Sequence, residues 1–168
     1  MVSTRRSVRA YQPRAVEEEK LALILRTAVA APSAGNLQPF EIVVVTHRET
    51  REAVAAAALD QRFLAEAPVL LVFLHHPARS TAQYGDRGET LYTTQDTAIA
   101  CAYAQLAATS VGLGSCWVGA FDTCAIARQL GAPAGVTPAA ILSVGYADEV
   151  PDRTPRRPLA AIVHREHF

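Results

Sequence analysis

The sequence predicts an α/β sandwich in which helices cover both faces of a sheet. Half of the 168 residues are apolar, which is enough for one sizeable core and favours a single domain over residues 1–168. Four strand-like segments alternate with helical patterns along the chain, as in a layered α/β protein. One of them, residues 69–74, is a continuous apolar run that is typical of a strand covered on both faces.

The first half of the chain begins with a well-marked helix. Acids at positions 17–19 suit the start of a helix dipole, apolar residues then recur on one helical face, and Pro32 ends the pattern. A run of β-branched residues indicates the strand that follows. The expected elements are a helix at residues 16–31, a polar turn at 33–38, a strand at 42–46, a helix at 48–59 and a strand at 69–74.

The second half contains a long helix rich in small residues, which predicts deep burial. Gly112 and Gly114 end this helix, and Asp122 is a plausible N-cap for a later, short one. The expected elements are a mobile surface loop at residues 77–89, the long helix at 91–111, a strand at 115–118, a helix from Asp122 to about Gly131, a strand at 139–146 and a Pro- and Arg-rich tail.

Periodicity does not determine whether neighbouring strands run parallel. Alternation of helices and strands alone would suggest a parallel, Rossmann-like sheet. Against this, no Gly-x-Gly-x-x-Gly turn follows any of the strands, and Gly112, Gly114 and Gly119 lie between a helix and a strand. Periodicity therefore leaves the ligand open.

Charge is balanced overall but concentrated at the two ends. The chain has 16 basic and 16 acidic residues, which argues against a surface built for nucleic acid or an anionic membrane. The basic residues at the ends are Arg5, Arg6, Arg9 and Arg14 at the start and Arg153, Arg156, Arg157 and Arg165 in the tail. They are either solvated termini or, if they converge with the hydroxyl of Ser7, a site for one phosphate group.

The remaining reactive side chains favour structural roles. Cys101 and Cys116 lie in apolar stretches and are expected to be buried, inert thiols. His75 and His76 lack acidic or thiol partners at ligand spacing, so we expect a strand end and no metal site. No secretory signal and no apolar run of ~20 residues is present, so we expect a cytoplasmic protein that does not enter a membrane.

Four aromatic or charged residues have two interpretations each. Trp117 and Phe121 could stack on a flat ligand, but aromatic residues beside a strand are more often part of the core. Tyr84 and Arg87 are surface residues by default, although their position in the polar loop could bring them to a substrate.

Five segments, taken in order, resemble the nitroreductase family of FMN-dependent, NAD(P)H-using oxidoreductases. They cover essentially the whole chain, and the ordered set is more specific than any one motif. The segments are Arg-Arg-Ser-Val-Arg at 5–9, Ala-Pro-Ser-Ala-Gly-Asn-Leu-Gln-Pro-Phe at 31–40, Gln-Asp-Thr-Ala-Ile-Ala at 95–100, Gly-Leu-Gly-Ser-Cys-Trp-Val-Gly-Ala-Phe at 112–121 with Val-Gly-Tyr at 144–146, and Arg-Arg-Pro-Leu at 156–159 with Ile-Val-His at 162–164.

The resemblance implies a fold and an assembly. The fold would be α+β, a three-layer α/β/α sandwich around a mixed, mainly antiparallel sheet. The protein would be a homodimer in which each C-terminal tail crosses onto the partner subunit. Two FMN molecules would lie at the dimer interface, each contacted by both chains.

The resemblance also implies cofactor-binding residues, while the flavin itself carries the chemistry and no catalytic side chain is expected. Arg5, Arg6, Ser7 and Arg9 match positions for the FMN phosphate, ribityl chain and pyrimidine edge, and Arg157 with Arg156 would complete the phosphate site. Pro32, Ser33, Ala34 and Asn36 match a turn that reaches the partner's flavin. Val118, Gly119 and Ala120 match a segment whose backbone faces the isoalloxazine, and Gln61 is the nearest amide to a mid-chain flavin contact.

The implied reaction transfers a hydride from NAD(P)H through the flavin to an electron-poor small molecule, of the nitroaromatic or quinone type, with ping-pong kinetics. One alternative is a specialised flavoenzyme of the same fold, such as a dehalogenase or a flavin-consuming enzyme. A second alternative is a flavin-binding protein without turnover.

Overall fold

The strand-forming segments assemble into one four-stranded sheet. The computed structural model describes residues 2–168. In it, β1 (Phe40–Val45), β2 (Val69–His75), β3 (Gly114–Val118) and β4 (Thr137–Gly145) lie in the order β1-β2-β4-β3. All three pairings are antiparallel, so the Rossmann-like parallel sheet is excluded. A parallel contact occurs only as an isolated bridge between Ser7 and Ser115 among the described residues.

Helices cover both faces of the sheet. On one face lie α1 (Glu18–Val29) and α5 (Thr93–Ser110), and on the other lie α2 (Arg48–Ala57), α3 (Phe63–Glu66) and α6 (Thr123–Leu130). Successive side chains of β2 point to opposite faces, so Leu71 packs with α1 and α5 while Leu70 packs with the opposite helices. The continuous apolar run therefore forms a strand that is buried on both faces, as predicted.

The ends of the predicted helices are determined by local chemistry. The Asp122 carboxylate accepts a hydrogen bond from the Ala125 N–H at 2.9 Å, which confirms the predicted N-cap of α6. Gly131 adopts a left-handed conformation with φ 64° and ends that helix. α5 packs closely on the sheet through small side chains, among them Ala100, Ala104 and Ala108.

The prediction of a mobile loop at residues 77–89 is wrong. The segment forms α4 (Ala78–Arg87), and a π-helical turn, Gly88–Tyr92, joins it to α5. The helix is polar because most of its side chains face solvent, whereas Ser80 is fully buried. Ser80 packs against Gly88, where a Cβ would lie 2.5 Å from the Ser80 carbonyl oxygen. Gly85 interrupts the helix with φ 55° and ψ −143°.

The chain leaves the sandwich as an extended tail. The C-terminal tail (residues 151–168) is largely exposed, and its only regular element is a single turn of 3-10 helix, Leu159–Ala161. It contains no core helix, as the composition predicted. Within residues 2–168, no helix combines the length and the apolar character needed to cross a bilayer.

Candidate functional site

The two basic ends of the chain meet at one cleft of about 360 Å³, which we call the arginine cleft. Its charged side chains are five arginines and one aspartate. The lining residues are Val2, Ser3, Arg5, Arg6, Ser7, Arg9, Pro151, Asp152, Arg153, Thr154 and Arg156. The structure thus favours convergence of the arginines over separate solvated termini.

The first half of the arginine cleft is attached firmly to the sheet. The Val8 N–H donates to the Ser115 carbonyl at 3.0 Å, which ties the N-terminal arm (residues 2–9) to the edge strand β3. Gly114 allows this approach, because a Cβ there would lie 2.9 Å from Val8 Cγ2. The buried Tyr11 hydroxyl donates to the Val8 carbonyl at 2.8 Å and lies 2.7 Å from Ser143 Oγ. Arg5, Arg6 and Ser7 therefore project from an anchored backbone.

Most of the positive charge in the cleft has no acidic partner. Arg6 donates to the carbonyl oxygens of Ser3 and Arg5, both at 2.9 Å. The Glu149 carboxylate accepts from the backbone N–H of Arg9, not from its guanidinium group. Among residues 2–168, no ion pair involves an arginine of this cleft. The cleft is therefore prepared for an anion that the chain does not itself supply.

Arg157 does not line the arginine cleft. Its Nη2 donates to the Ala161 carbonyl at 2.6 Å within the tail, whereas Arg156 lines the cleft. Within one chain, Arg156 and not Arg157 lines the cleft, and the roles of the two arginines toward a bound phosphate stay predictions. Arg153, which no motif indicated, joins the cleft instead. Its only sequence signal was its place in the basic tail.

The turn before β1 is held by a buried carboxylate. Ala34 donates its N–H to both oxygens of Asp96, at 3.1 and 3.2 Å, and Ser33 Oγ accepts from the Gln38 N–H at 3.0 Å. Asp96 is only 4% exposed, and burial raises the pKa of this carboxyl group above its usual value. Asn36 adopts φ 57°, a left-handed conformation that Asn tolerates. Sequence reasoning found the motif containing Asp96 but not its role.

Helix α4 covers the same turn. A Cβ at Gly35 would lie 2.6 Å from the Tyr84 hydroxyl oxygen, so the tyrosine closes directly over the backbone. Arg87 Nε donates to the Tyr92 hydroxyl at 3.0 Å, and the rings of Tyr84 and Tyr92 meet edge to face at 5.1 Å. Tyr84 is thus a packing partner of the turn. Pro32, Ser33, Ala34 and Asn36 do not line the arginine cleft of their own chain.

The backbone after β3 borders open space. Val118 is buried at the end of the strand, while Gly119 and Ala120 are exposed, and a Cβ added at Gly119 would meet no atom within 4 Å. Gln61 Nε2 donates to the Ala120 carbonyl at 3.1 Å and to the Ala58 carbonyl at 2.8 Å. The Gln61 amide therefore supports this segment through its backbone.

The two halves of the candidate site lie along one strand. Ser115 adjoins the arginine cleft through its bridge to Ser7, and Gly119 follows the other end of β3. Four residues of extended strand span roughly 13 Å. The edge strand thus connects the arginine cleft to an open backbone surface.

Two aromatic expectations have different outcomes. Trp117 is 37% exposed on the edge strand β3, so its assignment to the core is wrong. Phe121 is half-buried and packs against the core that contains α2, α3 and α6.

The cysteines and histidines form no further centre. Cys101 and Cys116 are buried, as predicted, and burial raises the pKa of both thiols. His75 ends β2 as expected. In the described part of the chain, no three His, Cys, Asp or Glu side chains are grouped as a metal would require.

The arginine cleft fits a phosphate group. Guanidinium groups present planar, bidentate donors to phosphate oxygens, and the hydroxyl of Ser7 adds a neutral donor. Without an anion, several like charges would face one another across the cleft at an energetic cost. The donor set is therefore that expected for the phosphate end of a flavin mononucleotide.

Comparison with known proteins gives the same family over most of the chain. The sequence model described as the Nitroreductase family matches residues 2–62 and 55–146. The NADH dehydrogenase of Thermus thermophilus is 32% identical over 186 residues, covering 95% of this chain and 91% of that protein.

Solved structures of similar proteins have the same fold. The FMN-dependent nitroreductase of Clostridium difficile superposes with a TM-score of 0.83 at 29% identity, covering 100% of both chains. The NADPH:FMN oxidoreductase of Vibrio harveyi, complexed with NAD+, has a TM-score of 0.91 at 28% identity and covers 99% of this chain and 76% of that one.

Proposed function

The chain belongs to the nitroreductase family, and from this premise we propose that it is an FMN-dependent oxidoreductase that uses NAD(P)H to reduce an electron-poor small molecule. The observation that carries the proposal is the arginine cleft beside the bridge between Ser7 and β3. Two similar proteins, an FMN-dependent nitroreductase and an NADPH:FMN oxidoreductase, support the same cofactor and co-substrate.

The chain would hold FMN at two ends of β3. Arg5, Arg6, Ser7 and Arg9, with Arg153 and Arg156 of the tail, would bind the phosphate. Val118, Gly119 and Ala120 would lie against the ring, where Gln61 steadies the backbone through its bond to Ala120. When bound, FMN supplies the ability to accept and pass on a hydride.

The protein's contribution is position and access. The anchored arm fixes the phosphate end, and the open backbone at Gly119 leaves space for a flat substrate. Hydride transfer through a flavin needs no activated nucleophile, so we expect no catalytic side chain. Binding and orientation are therefore the work of this chain's residues.

We propose a nitroaromatic or quinone type of acceptor and ping-pong kinetics. The backbone at Gly119 borders open space, where the nicotinamide and the acceptor would bind in turn. Flat, electron-poor rings match such a surface better than bulky substrates do.

We propose that the working form is a homodimer with exchanged tails. Strand β1 is an edge of the sheet, and a cleft of about 340 Å³ runs beside it, lined in part by Leu25, Phe40 and Val44. In the tail, Leu159, Ile162 and Val163 are more than half exposed. A free strand edge and an uncovered apolar tail are complementary features. The turn at residues 32–36 would then reach the partner's cofactor.

Steady-state kinetics test this proposal. Initial rates of NADPH and NADH oxidation are measured against several fixed concentrations of a nitroaromatic and of a quinone. Parallel double-reciprocal lines are expected, because each substrate leaves before the next binds. Intersecting lines would contradict the ping-pong order, and FMN binding without turnover would show a flavin-binding protein.

A further inference from the structure

Asp96, in the first turn of α5, is a buried acid with few polar partners. It is only 4% exposed, and within the described residues no ion pair includes it. In residues 2–168, the one donor to its carboxylate is the Ala34 N–H, at 3.1 and 3.2 Å. A carboxylate can accept about four hydrogen bonds, and burying a charge without an ion pair is costly. Packing alone therefore does not explain an acid at this position.

Neighbouring hydroxyl groups on α5 do not compensate this charge. Thr97 Oγ1 donates to the Thr93 carbonyl at 2.7 Å, and Thr93 Oγ1 donates to the Gly88 carbonyl at 2.8 Å. A hydroxyl group has one hydrogen to donate, so neither is available to the carboxylate. The charge of Asp96 is thus directed at the turn of residues 33–38.

The turn of residues 33–38 has a backbone that needs support from outside. Gly35, Asn36 and Gln38 all have positive φ, at 55°, 57° and 49°. Residues other than glycine seldom adopt this conformation, and it persists only where surrounding contacts determine it. The hydrogen bond to Asp96 is a contact of this kind. The position of the turn therefore depends on its bond to α5.

We infer that Asp96 is a positioning residue for the flavin reaction. It holds the turn of residues 33–38 where that turn meets the flavin of the partner subunit, and it acts through the Ala34 N–H without touching the cofactor. The inference rests on the proposed function, which supplies the FMN, the dimer and the place of the turn. A displacement of about 1 Å can slow a reaction about 100-fold, so a looser turn should slow hydride transfer more than it weakens FMN binding.

Three substitutions of Asp96 separate geometry from charge. Asp96→Asn keeps an acceptor oxygen in place and removes the charge, whereas Asp96→Glu keeps the charge and lengthens the side chain by one methylene group. Asp96→Ala removes the acceptor altogether. Thr97→Val is the matched control, because it removes a buried hydroxyl that bonds only within the same helix.

Stopped-flow reduction by NADPH or NADH, without oxygen, is measured on each variant loaded with FMN. Asp96→Ala and Asp96→Glu should lower the limiting rate of flavin reduction roughly tenfold or more, with little change in the nicotinamide concentration that gives half of this rate. Asp96→Asn should recover most of the rate, because its amide oxygen still accepts from the turn. Thr97→Val should match the unaltered protein.

Hydrogen–deuterium exchange of the same variants, freed of FMN and followed by NMR, reports on the turn independently of activity. The Ala34 amide should exchange roughly tenfold faster in Asp96→Ala, the scale of one lost hydrogen bond. Its exchange in Thr97→Val should equal that of the unaltered chain, and equal acceleration in both variants would contradict the role of the Asp96 carboxylate.

The variants also define what would overturn the inference. Flavin reduction at the unaltered rate in Asp96→Ala or in Asp96→Glu would do so, and so would an Asp96→Asn variant as slow as either. Parallel losses of melting temperature, FMN content and rate would show that Asp96 is structural only. If Asp96→Ala does not fold, the comparison of Asp96→Asn with Asp96→Glu decides. Unaltered protein that binds FMN but is reduced by neither nicotinamide would instead overturn the proposed function.

Discussion

Gly119 shows how one residue can separate substrate access from cofactor retention. Its backbone does not require glycine, because Gly119 does not adopt a positive φ. A Cβ added there would meet open space. Gly145 is the opposite case, because a Cβ there would lie 2.5 Å from Pro68 Cδ. The missing side chain at Gly119 leaves open space beside the backbone, whereas the missing side chain at Gly145 allows Pro68 to pack closely.

Gly119→Leu should therefore keep the fold and the cofactor but slow reduction by NAD(P)H. The leucine would occupy the nicotinamide face, and a displacement of around 1 Å costs about 100-fold in rate. Stopped-flow reduction of fully loaded protein measures this. As a control, Gly145→Ala should lower the melting temperature. Loss of stability and flavin together in Gly119→Leu would identify Gly119 as a structural residue only.

The arm arginines should discriminate FMN from riboflavin. Arg5→Ala or Arg6→Ala should each weaken FMN binding by about 1.5–3 kcal/mol, because a charge-assisted hydrogen bond to phosphate is lost. Riboflavin has no phosphate and should be much less sensitive. Arg156→Ala should cost more than Arg157→Ala, since only Arg156 lines the cleft. Titration by flavin fluorescence decides this, and equal losses for both flavins would refute the phosphate assignment.

Among the elements, the start of α1 is tied to the end of β4 by a polar network. The Tyr146 hydroxyl lies 2.7 Å from both Glu17 carboxylate oxygens and 2.6 Å from Lys20 Nζ. Arg14 stacks over the Tyr146 ring at 3.7 Å. The hydrogen bond from Tyr146 is the main reason why the pKa of Glu17 falls from 4.5 to about 2.

This network predicts a pH-dependent contribution to stability. A carboxyl group whose pKa is lowered by folding stabilises the native state above its unfolded pKa, and this contribution fades as the pH falls from 4.5 towards 2. Tyr146→Phe should therefore reduce stability at neutral pH, and its difference from the unaltered protein should shrink in that window. Urea midpoints across the range measure this. The neighbouring Glu18→Gln should show little change, and a constant deficit for Tyr146→Phe would contradict the linkage.

The elements also show what the sequence could predict. Strands β2 and β4, helix α5 and the Asp122 cap follow from apolar runs and capping chemistry that are local. Helix α4 was missed because its packing against the turn at residues 33–38 depends on tertiary contacts, which a polar composition does not reveal. The pairing of the strands also depends on contacts between distant parts of the chain. The resemblance carried by the ordered motifs predicted a mainly antiparallel sheet, whereas periodicity did not.

The candidate site was predictable to a similar extent. The family, the fold and the use of FMN and NAD(P)H follow from the five motifs and are confirmed by the comparisons. Arg153 and Asp96 could not be given roles, because the position of a tail and the partner of a buried carboxylate depend on the folded chain. The individual flavin contacts stay predictions.

For the whole molecule, we predict an obligate dimer. A second copy of the chain best explains three features: the β1 edge of the sheet, the exposed apolar residues of the tail, and the division of the predicted flavin-contacting residues between two regions. Sedimentation should show a dimer at micromolar concentration and no FMN-loaded monomer. A stable monomer that retains FMN would rule the exchange of tails out.

The most direct test of the account is a single reductive cycle without oxygen. The purified protein should be yellow, with absorbance near ~450 nm from bound FMN, and one equivalent of NADPH or NADH should bleach this band. Adding a nitroaromatic or a quinone should then restore it. A band that persists with either nicotinamide, in protein shown to contain FMN, would contradict the assignment of this chain as an oxidoreductase.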